Sequence, residues 1–419
     1  MMAFRSRPGS RLAAALQLAA LALLAACARP APVADWIGNW RVAMQLPGGE
    51  LPFGLELRAQ AGMLSATVVN GPERVPVDEV RLDGDILRLR LSGLETAIEA
   101  HRKDGRLEGT VTMVKKKAAR QQIPFVAQQG DDYGFVAGDA PSPARLEGRW
   151  AVTFTDDDGG ESTGVGEFTQ QGAQVTGTFL TPTADHRYIS GELRGDQALL
   201  RSFNGGHAFL YHLQVSGDSL AGDYWSGLAS HERIVARRDD SASLGDAEQA
   251  TKMKPGQERL SFAFLDLDGR RVSIDDARFK GKVVVVTLGG SWCPNCHDEA
   301  AFLAPTYREL RAEGLEIVGL MFEQYDSFAE ARDAVRRFQQ RYAIEYPLLI
   351  AGENDRDQAA ALLPQLNAVF AYPTTIFIDR AGKVRRIHTG FSGPATGGHY
   401  DALKQDYERT VRELLAEKS

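Results

Sequence analysis

Cysteine is scarce in this chain: its 419 residues contain three cysteines, at positions 27, 293 and 296. There is no second Cys-x-x-Cys and no His-x-x-x-His spacing, so the four ligands of a structural zinc site are not expected. A basic face and a base-stacking motif are also missing. With charged residues at 25% and a net charge of -7, no nucleic-acid partner is expected.

The N-terminal residues have the composition of a targeting segment. An arginine-rich start precedes an apolar region over residues 12–26, which is too short to span a bilayer comfortably. This region ends in Leu-Ala-Ala-Cys at residues 24–27, which resembles the lipobox of bacterial lipoproteins. The resemblance implies that residues 1–26 are a lipoprotein signal peptide and that acylated Cys27 anchors the protein in the bilayer on the periplasmic side. The alternative is a plain secretory signal with a chance cysteine.

The residue after Cys27 bears on which membrane holds the protein. Lipoproteins retained at the inner membrane carry Asp at that position, whereas this chain has Ala28. The outer membrane is therefore favoured for a Gram-negative source. Residues 27–34 are predicted to be a lipidated tether.

An internal repeat organises the region after the tether. The sequence around Trp40 returns around Trp150, 110 residues later, and the Gly-Asp pair at 84–85 returns at 195–196. Short alternating runs between turns are typical of antiparallel strands. We therefore predict two tandem all-β modules, each a small antiparallel barrel or sandwich. Their predicted ranges are 35–128 and 145–238, with linkers at 129–144 and 239–257.

Two interpretations of the β modules stay open. In one, aromatic side chains of the second module bind a client protein or a cell-wall ligand; the candidates are Trp225, Tyr224, His207 and Tyr211. In the other, which we favour, these side chains pack in the core or at the rim, and the modules are spacers.

The most specific signal is a strand that leads directly into a Cys-x-x-Cys pair. Residues 283–288 are an unbroken run of strand formers, which predicts a strand buried on both faces. A Gly-Gly-Ser turn and Trp292 follow, and then Cys293-Pro294-Asn295-Cys296. Because Pro294 is preset for a first helical turn, we predict a helix over residues 294–312.

This placement of Cys293 has a chemical consequence. Unpaired backbone N–H groups and the positive end of the helix dipole favour thiolate over thiol at a helix start. Cys293 is therefore the predicted nucleophile, and Cys296, one turn further on, the resolving thiol. A structural disulfide across so small a loop would constrain little of the unfolded chain, which favours a redox role.

Beyond the second module the pattern changes to alternating strands and helices, typical of an α/β domain. With the Cys-x-x-Cys pair and the Tyr-Pro-Thr-Thr turn at 372–375, residues 255–419 resemble the thioredoxin superfamily. Within that superfamily, these residues are similar to the branch of tethered periplasmic thiol–disulfide oxidoreductases of the TlpA and ResA type. The resemblance implies a thioredoxin-like domain over 258–419, protein disulfides as clients and a membrane electron donor. It implies no cofactor beyond the Cys293–Cys296 disulfide.

The resemblance also assigns roles around the two thiols. Pro373 matches the cis-proline that faces the disulfide, where the backbone of Tyr372 would hydrogen-bond an extended client segment. Trp292 and Pro294 are expected on the same substrate-binding surface. Glu323, at the end of a predicted strand, is assigned as the buried acid that accepts the proton of Cys296.

Two positions depart from the family pattern. Thioredoxins have a buried Asp six residues before the first cysteine, where this chain has Thr287, so Glu323 would have to serve instead. The branch usually has Pro five residues after the second cysteine, where this chain has Ala301. Pro305 comes later, so a helix kink would move while the redox chemistry survives.

Several other functions remain as alternatives. Residues 293–297 also spell the Cys-x-x-Cys-His signature of c-type haem attachment, with His297 as an axial ligand, but cytochrome domains are mostly helical. A peroxiredoxin has Pro and Thr ahead of its reactive cysteine, which residues 287–293 fit poorly. Two further alternatives are that the pair oxidises or isomerises disulfides, and that the thioredoxin-like domain is only the scaffold of a binding lipoprotein.

Overall fold

The computed structural model describes residues 33–60, 63–135 and 143–417. The predicted signal peptide, Cys27 and most of the predicted tether lie outside these residues. The chain divides into an N-terminal unit that ends at Trp36 and a second unit that begins at Ile37. Among the described residues, no helix combines the length and the apolar character that a membrane crossing requires.

The first module is a nine-stranded antiparallel sheet. Its strands are β1 Gly38–Leu46, β2 Gly49–Gln60, β3 Met63–Asn70, β4 Glu73–Pro76, β5 Glu79–Asp83, β6 Ile86–Leu91, β7 Thr96–Lys103, β8 Arg106–Lys115 and β9 Ala119–Gln129. They are ordered β4-β3-β2-β1-β9-β8-β7-β6-β5 in the sheet. Buried and exposed residues alternate along β6 and β7, as they do in strands with one face on the core and one in water.

The second module is a closed barrel. Its strands are β10 Gly148–Asp156, β11 Glu161–Gln171, β12 Gln174–Leu180, β13 Ile189–Arg194, β14 Gln197–Phe203, β15 Ala208–Ser216, β16 Ser219–Ser226 and β17 Ser230–Arg238. Each strand pairs with the next, and β17 pairs with β10 to close the barrel. Aromatic side chains fill the interior, among them Trp150, Phe154, Phe179 and Tyr211.

The sequence repeat relates the two modules strand by strand. Trp40 and Trp150 are each the third residue of a first strand, and both are fully buried. The Gly-Asp turns at 84–85 and 195–196 join corresponding hairpins. The modules differ in one strand pairing. In the second module β12 pairs with β13. In the described part of the first module β3 pairs with β4 instead, and β3 does not pair with β5.

The third part is a seven-stranded sheet covered by helices. Its strands are β18 Ala263–Asp266, β19 Arg271–Ser273, β20 Val283–Gly289, β21 Leu315–Glu323, β22 Leu348–Glu353, β23 Thr374–Ile378 and β24 Val384–Thr389. The helices are α1 Ala247–Ala250, α2 Pro294–Leu310, α3 Phe328–Tyr342, α4 Arg356–Leu362 and α5 Gly398–Ala416. The sheet order is β19-β18-β22-β21-β20-β23-β24, with β20, β21 and β22 parallel. Every residue of β20 is buried, since apolar clusters cover both faces of the sheet.

The segment 239–257, predicted to be a linker, is in part packed on the α/β domain. It contains α1, and Thr251 is fully buried. The Thr251 hydroxyl accepts a hydrogen bond from the Phe370 backbone N–H at 3.1 Å, and Met253 forms an isolated β-bridge with Leu366. The low apolar content of this segment suggested a linker, but Ala242, Leu244 and Met253 pack into apolar clusters, and backbone and polar groups supply the other contacts.

The β modules also pack directly on the α/β domain. Lys116 of the first module forms an ion pair with Asp355 at 2.6 Å, and Glu95 accepts hydrogen bonds from Tyr325 at 2.6 Å and Arg337 at 2.7 Å. The interpretation of the modules as spacers stays a prediction, while these contacts fix the first module against the α/β domain.

Candidate active site

Cys293 occupies the N-cap of α2, four residues after β20 ends. Its sulfur accepts a hydrogen bond from the Cys296 backbone N–H at 3.3 Å and donates to the Tyr372 carbonyl oxygen at 3.6 Å. Both thiols are free and buried. The sulfur thus lies at the start of α2, where the first backbone N–H groups have no partner within the helix, and it accepts a hydrogen bond from one of them.

Cys296 lies in a different environment. Burial raises the pKa of its thiol well above the ordinary value, and the hydrogen bond to Cys293 and the charges of Cys293 and Glu299 raise it further. A Cβ atom on Gly289 would lie 3.1 Å from the Cys296 sulfur, so glycine leaves room for this thiol against the end of β20. Cys296 therefore stays protonated until a base takes its proton.

The predicted substrate-binding residues surround Cys293. The Tyr372–Pro373 peptide bond is cis, and the Pro373 carbonyl oxygen accepts a hydrogen bond from the Gly390 N–H at 2.8 Å. The Trp292 indole N–H donates to the Phe322 carbonyl oxygen at 2.8 Å, and its ring stands edge-on to that of Tyr372 at 6.0 Å. These bonds fix the turn that faces the nucleophile.

Glu323 is buried at the end of β21. Its carboxylate accepts hydrogen bonds from the Ser291 backbone N–H at 2.8 Å and the Ser291 hydroxyl at 2.7 Å. Burial raises the pKa of Glu323 to about 7, and the bonds from Ser291 oppose that rise. The carboxyl thus anchors the turn ahead of Cys293, and its assignment as proton acceptor stays a prediction.

Glu299 is a second buried carboxyl, which the sequence analysis missed. It lies one turn beyond Cys296 on α2, and Thr375 donates to it at 2.5 Å. Burial raises the pKa of Glu299 to about 7, against hydrogen bonds from Thr375 and Thr287. Thr287 is the position where thioredoxins carry their buried Asp, so here the helix supplies the carboxyl and the strand a hydroxyl. The three-residue spacing from Cys296 was the available signal.

His297 is enclosed, and both of its ring nitrogens are engaged. Nδ1 lies 2.8 Å from the Tyr342 hydroxyl, and Nε2 lies 2.6 Å from the Ser291 carbonyl oxygen and 3.0 Å from that of Gly93. Burial lowers the pKa of His297 to about 3, so the ring is neutral. This bonding argues against axial ligation of a haem. Within the described ranges, no three His, Cys, Asp or Glu side chains are grouped to hold a metal ion.

The second β module bonds directly to the residues between the two cysteines. Asp185 accepts hydrogen bonds from the Asn295 amide at 2.6 Å and from the Gly393 backbone N–H at 2.7 Å. Arg187 donates to the Pro294 carbonyl oxygen at 3.3 Å. Pro294 and Asn295 are consequently buried. The sequence carried no signal for these contacts, which join residues more than a hundred positions apart.

Arg187 also joins the three parts of the fold. Its guanidinium pairs with Asp298 on α2 and with Glu73 of the first module at 2.5 Å. Burial lowers the pKa of Arg187, but the charges of Asp298, Glu73 and Asp185 outweigh it and raise the pKa overall. The side chain is therefore a fixed positive charge at the junction of the modules.

Cys293 opens into a cleft of about 670 Å³ between the β modules and the α/β domain. The β modules supply one wall, which includes Lys116, Thr183, Ala184 and His207. Of the four aromatic residues singled out in the second module, His207 thus lies at the cleft. Tyr211 and Tyr224 stack in the barrel core at 4.8 Å, and Trp225 packs against Gly48.

A Cys-x-x-Cys pair at a helix start, facing a cis-proline turn in an α/β sheet, defines the class of thioredoxin-fold thiol–disulfide oxidoreductases. Residues 255–387 match the AhpC/TSA family. Thiol-disulfide oxidoreductase ResA of Bacillus thuringiensis subsp. konkukian is 30% identical over 133 residues, which cover 32% of this chain and 68% of that protein. ResA of Bacillus subtilis is 30% identical over 135 residues, 32% of this chain and 67% of that protein.

The chain therefore belongs to the ResA family of thiol–disulfide oxidoreductases, and it is an enzyme of that class. Among solved structures, a thiol:disulfide interchange protein DsbE from Chlorobium tepidum, described as putative, is 20% identical. The match covers 39% of this chain and 100% of the Chlorobium chain, with a TM-score of 0.30. The predicted fold class, two all-β modules followed by a thioredoxin-fold domain, is confirmed.

The raised pKa of Glu299 predicts a pH-dependent effect of the Glu299→Gln substitution on stability. Because folding raises this pKa from 4.5 to about 7, the carboxyl stabilises the fold below pH 4.5 and loses that contribution as pH rises to 7. Glutamine stays neutral. We expect the variant to match the wild type near pH 4.5 and to be more stable by roughly 3 kcal/mol at pH 8.

Urea unfolding of both proteins at pH 4.5 and pH 8 measures this difference. Glu309→Gln is the matched control, since Glu309 is on the same helix but exposed, and its variant should show no such change with pH. A Glu299→Gln variant that is less stable than the wild type at pH 8 would contradict the assignment of a buried, desolvated carboxyl.

Proposed function

We propose that the protein is a lipid-anchored thiol–disulfide oxidoreductase that reduces protein disulfides. The Cys293 thiolate attacks one sulfur of a client disulfide, forms a mixed disulfide and expels the other client sulfur as a thiolate. Cys296, as a thiolate, then attacks Cys293, releases the reduced client and leaves the Cys293–Cys296 disulfide. The observation that carries this proposal is the N-cap position of Cys293 against the Tyr372–Pro373 turn.

The turn supports binding of an extended client segment. Its Tyr372 carbonyl oxygen lies beside the nucleophile, so main-chain hydrogen bonds to a client would place the client sulfur near Cys293. Trp292 and Pro294 line the same cleft and would contact that segment. After each turnover a membrane electron donor returns two electrons and two protons to the pair.

A buried carboxylate must take the proton of Cys296 before the second step. Glu299 lies one turn from this thiol, and its charge acts on it directly. Glu323 is the acceptor predicted from the sequence, and it bonds to the turn on the other side of Cys293. We propose Glu299 as the direct acceptor, with Glu323 as the alternative.

The two cysteines have separable roles that substitution can test. Cys293→Ala is expected to abolish the reduction of insulin disulfides, because no nucleophile remains at the helix start. Cys296→Ala is expected to accumulate a mixed disulfide between Cys293 and insulin, because the resolving thiol is missing. Turbidity measures insulin reduction, and non-reducing electrophoresis detects the adduct.

Insulin reduction that persists in Cys293→Ala would contradict the mechanism and leave the domain as a scaffold. The direction of electron flow follows from the reduction potential of the pair, measured by alkylation across a dithiothreitol series. A value near about -270 mV or below agrees with a reductase, whereas one near about -120 mV gives an oxidant of folding clients.

The proton acceptor can be identified from the pH dependence of mixed-disulfide resolution. An acceptor must be deprotonated, so the wild-type rate should rise through pH 7, where the pKa values of Glu299 and Glu323 lie. We expect Glu299→Gln to lose this rise and to be roughly a hundredfold slower at pH 8. Glu323→Gln should keep it. Single-turnover stopped-flow kinetics measures both, and the reverse result would give the role to Glu323.

Lipid anchoring is supported by the Leu-Ala-Ala-Cys sequence at residues 24–27. We expect Cys27→Ser to abolish incorporation of labelled palmitate and to release the protein from the membrane fraction, since the acyl chains supply the attachment. Cys296→Ser, which keeps Cys27, is the control and should remain labelled. A Cys27→Ser protein that still takes up label would contradict the proposed anchor.

A further inference from the structure

A second cavity lies beside the redox cleft, between the second β module and the α/β domain. Its volume is about 630 Å³, and its lining includes Leu180, Pro182, Leu244, Ala247, Phe370 and Phe391. This volume is within the range of sites that bind small organic groups. Phe370 retains 38% of its surface exposed, which is unusual for a large apolar side chain at a junction between domains.

The two cavities meet at Ala184 and Phe370, which line both. The segment of the second module that contains Thr183 lies between the two cavities and packs against residues next to the cis-proline turn. A Cβ atom on Gly390 would lie 3.3 Å from the Thr183 carbonyl oxygen, and the Gly390 N–H bonds to the Pro373 carbonyl oxygen at 2.8 Å. The second cavity therefore adjoins the redox cleft at Phe370, within reach of a chain bound at Cys293.

Most charged groups around the second cavity are paired. Asp246 accepts a hydrogen bond from the Glu248 N–H, and His399 lies 3.1 Å from Glu167. By contrast, the buried Nδ1 of His388 has no hydrogen-bond partner among the described residues. Arg149 forms an ion pair with Glu167 and donates to the Ala242 carbonyl oxygen at 2.6 Å. Asp185 is occupied by Asn295 and Gly393. The surface left for a ligand is mainly apolar.

We propose that this cavity is a specificity site that receives an apolar side chain of the client, a few residues from the client cysteine. The proposal rests on the proposed function and names its substrate: an extended polypeptide segment that carries a disulfide and a nearby aliphatic or aromatic residue. The proposed occupant is a polypeptide because Ala184 and Phe370 line both cavities, so that an extended chain bound at Cys293 can reach the second one. The rival occupant is a small disulfide such as cystine, which would bind in the redox cleft alone.

The experiment uses the full chain, with dithiothreitol as electron source and a series of disulfide peptides. Each peptide carries one Leu, placed in turn at the four positions on either side of the cysteine, with Ser elsewhere. We expect kcat/KM for Leu at one position to exceed that of the all-Ser peptide by roughly tenfold, as burial of a Leu side chain would give. The ratio of the two kcat/KM values is the readout.

Ala247→Trp fills the cavity and Leu244→Asp places a charge in it, and both are expected to bring the ratio to about one. Ala312→Trp is the matched control, since Ala312 is exposed and lines neither cavity, and it should keep the wild-type ratio. Two substitutions of different chemistry keep the test decisive if one variant does not fold.

Three outcomes would overturn the proposal. The wild type could show no preference for Leu at any position, or the preference could persist in both cavity variants. The third outcome is that the wild-type enzyme reduces cystine or glutathione disulfide with a higher kcat/KM than every peptide, which would make the occupant a small disulfide. A wild type that reduces none of these substrates contradicts the proposed function itself, and that result is distinct from a missing preference.

Discussion

The hydrogen bond from the Cys296 backbone N–H to the Cys293 sulfur is the contact on which the chemistry depends. This bond forms because only a short turn separates the end of β20 from the start of α2. The sulfur therefore caps the helix at its first turn. The same bond holds the two thiols in unequal environments, one at the cleft and one enclosed behind it.

The difference between the environments of Cys293 and Cys296 gives a reason for the buried carboxyl groups near them. Desolvation keeps Cys296 protonated, so a mixed disulfide would persist unless a base stood nearby. Desolvation also raises the pKa of Glu299 to about 7, which lets that group take a proton and return it near neutral pH. One physical effect, removal of water, thus raises the pKa of the Cys296 thiol and the pKa of its proposed acceptor.

Local pattern was enough to predict the strand and helix around the cysteines, the turn at Pro373 and the repeat marked by Trp40 and Trp150. The strand, the helix and the turn are each encoded within a few neighbouring residues, and the repeat is visible from two short segments 110 residues apart. Glu299 was missed because thioredoxins carry the buried carboxyl on the strand, at the position of Thr287. In this chain the buried carboxyl is on the helix instead. Asp185 and Arg187 could not have been found, since their partners lie on another module and contact them only after folding.

Arg187 determines whether the β modules can act independently of the enzyme domain. Separating the second module from α2 would break the Arg187–Asp298 ion pair and the hydrogen bond from Asn295 to Asp185, while Arg187 would keep its ion pair with Glu73 of the first module. These contacts hold the second module against α2 and the loop at Gly393. The wall containing Ala184 and His207 is consequently a fixed part of the cleft at Cys293, and the surface that a client meets is made by both halves of the chain.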